Sequence, residues 1–192
     1  THSSAAMMSR IPAFPDPASP PDSAPAGNSY YAFSRGGVQF LMLDSQVMFG
    51  VAGREEETAW LEERLADPRF AASIVVLHVA PFSSSSVHPD NSLPVRDAWA
   101  PIFAAQDVPL VFSGHFHHYE RLISHGVTYI VSGGGSSILY APGEMMPQSQ
   151  SFHRRTHFVL VEVDGGILRL TAIALGGDVL DRVEIPRVRP AP

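Results

Sequence analysis

Residues 108–123 read VPLVFSGHFHHYERLI, and this stretch decides how the chain folds. VPLVFSGH (108–115) has the length and apolar content of a buried strand. It runs into a glycine and three histidines within four positions, out of nine in the whole chain. Upstream, ASIVVLH (72–78) is a second short buried strand that also ends in histidine. Between them PVRDAWAPIFAAQ (94–106) reads as a helix, with Pro101 expected to kink it or reset its start. Strand, helix and strand make a βαβ unit with a right-handed crossover, so the two strands run parallel as near neighbours. Both then finish at one sheet edge, where open α/β sheets take their ligands. His78 ends the first strand, and His115 and His117 follow the second. His88, in the polar loop VAPFSSSSVHPDNS, can reach the same edge. If the chain stays extended past Gly114, His115 and His117 point one way and His118 the other, into solvent. Gly114 is expected to make the tight turn. Two imidazoles aimed together, with a third from the adjacent strand, suit a late transition metal.

The remaining sequence supports a single α/β domain. Residues 11–28 hold six prolines and little that packs, so residues 1–29 read as a Pro-rich connector, 30–186 as the domain and 187–192 as a tail. YYAFSRGGVQFLMLD (30–44) gives two strand-like runs around Arg35-Gly36-Gly37, a hairpin signal. REEETAWLEERLAD (54–67) reads as a helix, acidic in its first turn, with an apolar stripe of Ala59, Trp60, Leu61 and Leu65. From Thr128 the pattern becomes strands: TYIVSGGGSS, HFVLVEVD, ILRLTAIAL and DVLDRVEI, the last three separated by Gly-rich turns as in a meander. The serines at 83–86 read as a mobile loop tip, and Gly133-Gly134-Gly135 as a strand-end turn.

Composition narrows the function. The chain has 192 residues, 45% of them hydrophobic, enough for one sizeable core. Its formal charge is −6 with only 13 Lys+Arg, so an electrostatic footprint for nucleic acid is missing. No apolar run approaches the roughly 18 residues of a membrane span. The absence of cysteine excludes disulfides and thiolate metal ligands.

LVFSGHFHHYERL resembles the last signature of the calcineurin-like metallophosphoesterases. Its Gly-His-x-His-x-Tyr-Glu-Arg form points to the purple acid phosphatase branch. YYAFSRGGVQFLMLDS, WLEERL, IVVLHVAPFSS, RDAWAPIF and YIVSGGG resemble other family segments in order and spacing, although Pro81 falls one place later than usual. The similarity covers roughly residues 28–185. It implies an αββα sandwich of two mixed β-sheets flanked by helices. By this resemblance His78 and His115 are ligands of the more labile divalent metal, and His117 is a ligand of the other, often ferric iron. The implied cofactors are two metal ions, Fe with Zn, Mn or Fe. His88 falls where the family places a histidine that contacts the phosphate and protonates the leaving group. Asp90 and Asn91 receive no role. Tyr119, Glu120 and Arg121 are expected to brace the loop, and Asp44 to pack or hydrogen-bond at its strand end.

The implied activity is hydrolysis of phosphate monoesters, with a phosphorylated small molecule or other phosphoester as substrate and neither nucleic acid nor membrane as partner. A phosphodiesterase is the close alternative. A non-catalytic pseudo-phosphatase or binding module is the alternative of a different class. The family's earlier signatures, which carry the bridging carboxylate and most oxygen ligands, do not occur here. The expectation is therefore the C-terminal half of a catalytic domain, inactive alone and needing the N-terminal half or a partner chain. Secretion or a periplasmic location is expected from the resemblance only.

Overall fold

A computed structural model describes residues 29–186, apart from 71 and 165. The connector before Ser29 and the tail 187–192 lie outside the described residues. The chain opens on the predicted hairpin, β1 (Tyr31–Arg35) and β2 (Val38–Met42), turned by Gly36 and Gly37 at φ 58° and 74°. Two successive left-handed residues make the turn whose twist matches the strands it joins. Next come α1 (Arg54–Leu65), β3 (Ala72–Val79), α2 (Ser92–Ala105) and β4 (Leu110–Gly114). The βαβ unit forms as expected, with β3 and β4 parallel and adjacent. Helix α2 runs through Pro101 without restarting.

Three further strands were only partly legible. β6 (Val127–Ser132) matches TYIVS, but β5 (Tyr119–Ser124) and β7 (Ser149–His153) were not anticipated, because their polar composition hides them. With them the first sheet has seven strands in the order β1-β2-β3-β4-β6-β5-β7, and it is mixed. β8 (His157–Asp164), β9 (Ile167–Ala174) and β10 (Val179–Pro186) form the predicted meander as a separate antiparallel sheet.

Alternation along the strands makes two cores from one sheet. Val75, Leu77, Val111 and Val131 face the helices and meet Trp60 and Leu61 of α1 and Val95, Trp99 and Phe103 of α2. Ile74, Leu110 and Ile130 face the other way and meet Leu168, Leu170, Ala172 and Ile185 of the second sheet. The result is helices, mixed sheet, second sheet: an α/β sandwich with three of the four expected αββα layers among the described residues, and a second sheet that is antiparallel rather than mixed. Trp99 Nε1 also donates to Thr58 Oγ1 at 3.0 Å, tying α2 to α1. On α1 the buried stripe is Glu57, Trp60, Leu61 and Leu65, while Ala59 is exposed. The expected stripe erred by one residue, because a charged Glu57 reads as a solvent position although the 3.6 period puts it inside.

Candidate metal centre

β3 and β4 deliver the histidines to one edge, as predicted. The parallel register slips between Leu77 and Val79, a bulge at His78 that re-aims its side chain beside the end of β4. His115 Nδ1 stands 3.3 Å from His78 Nε2, and the two rings meet edge-on. The His88 ring lies 6.0 Å from that of His115, on an exposed residue at φ 56° just before the turn Pro89–Asn91. Asn91, from the same turn, brings its side-chain amide to 3.0 Å from His115 Nε2.

The route from β4 into this cluster differs from the sequence expectation. Gly114 does not supply the left-handed turn; His115 does, at φ 62°. The chain then folds tightly, with Phe116 N–H donating to the Gly114 carbonyl at 2.7 Å and His118 N–H to the Phe116 carbonyl at 2.8 Å. Extended alternation was therefore the wrong premise, although His115 and His118 do part company. The turn is possible because Gly133 lies directly against it: a Cβ there would sit 2.1 Å from the Phe116 carbonyl oxygen. Gly133 N–H donates to the His118 carbonyl at 3.1 Å. The glycine run after β6 is thus a close-approach platform for the histidine turn.

His117 is set separately. Its Nδ1 lies 2.8 Å from the Ile138 carbonyl oxygen, which can only accept, so Nδ1 carries the proton and Nε2 keeps its lone pair. Tyr140 stacks on the imidazole with ring centroids 4.3 Å apart, and its N–H donates to the His117 carbonyl at 2.9 Å.

His118 is the clearest correction. It is wholly buried rather than in solvent. Its Nε2 lies 3.2 Å from Glu120 Oε2 and 3.4 Å from Ser83 Oγ, and its ring stacks on Phe152. Glu120, also wholly buried, accepts from Ser84 N–H at 2.8 Å and from Ser84 Oγ–H at 2.6 Å. Burial alone would raise the Glu120 carboxyl, but bonds from His118 and Ser84 outweigh it and hold the group below its ordinary range. The serine run is accordingly no mobile tip. Ser83, Ser84 and Ser85 are buried, and Ser84 Oγ accepts from Met146 N–H at 2.9 Å. Tyr119 and Arg121 brace as expected, both donating to Asp181 Oδ2, at 2.8 Å and 2.6 Å. Asp44 accepts from Ser29 Oγ and from Gln46 N–H, and its own N–H donates to the buried Glu57.

The ligand chemistry can be tested on these side chains. Lost hydration lowers the pKa of both His78 and His115, the latter to about 4, with neighbouring imidazoles adding to the effect. Both rings are therefore neutral near pH 7 and offer lone pairs. Two nitrogens each about 2.0–2.1 Å from one ion at a tetrahedral angle stand about 3.3–3.4 Å apart. The observed 3.3 Å fits two ligands of a shared ion. No group of three His, Cys, Asp or Glu converges on one point among the described residues. The histidines thus fit the nitrogen side of a metal centre, and the described residues do not provide its oxygen side. A separate recess of about 590 Å³ lies between α2 and the β5–β6 hairpin, lined by Phe82, Ala100, Tyr129 and Gln148 among others; none of the four histidines lines it.

Known proteins bear on this arrangement. The chain is 32% identical over 128 residues to purple acid phosphatase 23 of Arabidopsis thaliana, a match spanning 61% of this chain and 28% of that protein. Its fold superposes on a purple acid phosphatase from yellow lupin (Lupinus luteus) seeds with a TM-score of 0.74 at 21% identity, covering 86% of this chain and 34% of the other. These matches support the metallophosphoesterase superfamily. The chain is also 33% identical over 102 residues to serine/threonine-protein phosphatase CPPED1 of Bos taurus, spanning 47% of the chain and 33% of the relative. No family model matches it. The aligned parts are thus 28% and 33% of those two relatives' lengths. Among the described residues, no helix is long and apolar enough to cross a membrane.

Proposed function

We propose that this chain carries the histidine half of a dinuclear phosphoesterase centre that hydrolyses phosphate monoesters. The observation that carries the reading is the 3.3 Å approach of His115 Nδ1 to His78 Nε2, from adjacent parallel strands, with a third imidazole held ready nearby. His78 and His115 would hold the divalent ion, and His117, through its free Nε2, the second. The second is iron by family resemblance, the first Zn, Mn or Fe. Such a pair, when bound, neutralises phosphate charge and activates water. His88, exposed at the rim, would steady the phosphate and give a proton to the departing ester oxygen. The carboxylate ligands would come from polypeptide outside the described residues or from a partner chain. The substrate is a phosphorylated small molecule, and the setting secreted or periplasmic.

A binding module that keeps this scaffold without catalysis is the second reading, supported by the lack of any converging carboxylate among the described residues. The test is metal content per chain by mass spectrometry after exposure to Zn²⁺ or Fe³⁺, with imidazole NMR to locate the ion. One ion or less per chain, shifting His78 and His115 together, supports the half-site. Two tightly held ions would overturn the division of ligands, and no response at either histidine would overturn the centre itself. Phosphatase activity regained only when the carboxylate-bearing polypeptide is added would decide between enzyme and module.

A further inference from the structure

We propose that Asn91 is a positioning residue whose side-chain amide sets the tautomer of His115, and thereby whether His115 Nδ1 is available as a ligand. The inference rests on reading His78 and His115 as ligands of one ion. Asn91 closes the turn Pro89–Asn91, and its backbone N–H donates to the His88 carbonyl at 3.1 Å. Its amide faces His115 Nε2 at 3.0 Å, while the other ring nitrogen faces His78 Nε2 at 3.3 Å. A neutral imidazole has one N–H and one lone pair, so these two contacts are coupled through the ring.

With its nitrogen toward the ring, Asn91 donates to Nε2. The His115 proton then sits on Nδ1 and is donated to His78, and every group is satisfied without an ion. With the amide turned over, Oδ1 accepts from Nε2–H. Nδ1 then presents a lone pair to that of His78, an arrangement favoured only with a cation between them. The oxygen and nitrogen of an amide have nearly the same size, so the group meets both demands by turning in place. A carboxylate at this position accepts only and holds the ligand tautomer permanently. A methyl group leaves the tautomer to solvent. Partners of this kind, outside the ligand set, typically change metal affinity by about 10–100-fold.

Asn91 is half-buried in a surface turn, so its variants are expected to fold. The experiment compares wild type, Asn91→Asp and Asn91→Ala as the full chain, by long-range ¹H–¹⁵N spectra of the imidazoles near neutral pH, with and without Zn²⁺. Wild-type His115 is expected as the Nδ1–H form without metal and the Nε2–H form with it. Asn91→Asp is expected in the Nε2–H form throughout, binding Zn²⁺ about 10-fold more tightly. Asn91→Ala is expected as a mixture, binding about 10-fold more weakly. The same His115 tautomer in all three metal-free proteins would overturn the proposal. If Asn91→Asp switches the tautomer but no variant takes up Zn²⁺, control by Asn91 stands and the ligand reading fails.

Discussion

Three histidines of one heptapeptide, GHFHHYE, end in two opposite environments. His115 and His117 stand at the open end of the sheet, each with one ring nitrogen engaged by a group outside the cluster. His118, one residue on, is sealed in a buried network with Glu120, Ser83 and Ser84. The contrast separates two uses of a histidine. At the edge, loss of hydration keeps the His115 imidazole neutral and leaves a lone pair to give away. In the core, the imidazole is a hydrogen-bonding strut joining the loop after β3 to β5. The proposed centre uses the first kind, and the second lies in the same turn.

The sharpest way to break this comparison is to remove the strut. Glu120→Ala strands Ser84 N–H, Ser84 Oγ and His118 Nε2 in a buried site, and should cost about 3–5 kcal/mol, read from urea melts. A loss below about 1 kcal/mol would mean the network is not what anchors the turn. Glu57 offers a comparable effect elsewhere in the core. Burial first, then the nearby Asp44 charge, pushes its carboxyl from 4.5 to about 8, against the lowering effect of the Asp44 N–H bond. The folded state therefore binds more protons than the unfolded state between those values, and stability falls as pH rises through that window. Glu57→Gln should remove this slope and be more stable than wild type at the alkaline end, on the order of 3 kcal/mol. Parallel pH–stability curves for the two proteins would refute the assignment.

Gly133→Ala sharpens the comparison by striking both environments at once. Its methyl would meet the Phe116 carbonyl at 2.1 Å, so the histidine turn must move. We expect about 1–3 kcal/mol of destabilisation together with altered His115 and His117 resonances. Unchanged spectra would show that the turn adapts without its platform. The smallest stability effect belongs to the edge itself. His78→Ala or His115→Ala should change stability by less than about 1 kcal/mol yet weaken Zn²⁺ binding at least about 10-fold by titration calorimetry. Equal affinity in wild type and either variant would place the ion elsewhere.

Much of this was legible in the chain. Apolar strands of the right length around a helical segment gave the βαβ unit, and its topology alone brought His78, His88 and His115 to one edge. The misreadings share a cause. Ser84 and Glu120 are 36 positions apart, and neither shows in sequence that it will be the other's partner. A serine run therefore looked like a loop tip, and His118 like a surface residue. Asn91 received no role for the same reason, since its partner His115 lies 24 positions away.

By itself, then, the sequence determined which strands are apolar, where they end and that histidines stand at those ends, because periodicity and chain connectivity are local properties. Only the tertiary structure decided which imidazoles stay neutral and available and which are spent in the core. That choice depends on the hydration and hydrogen-bond partners of each ring, and residues distant in the chain supply both.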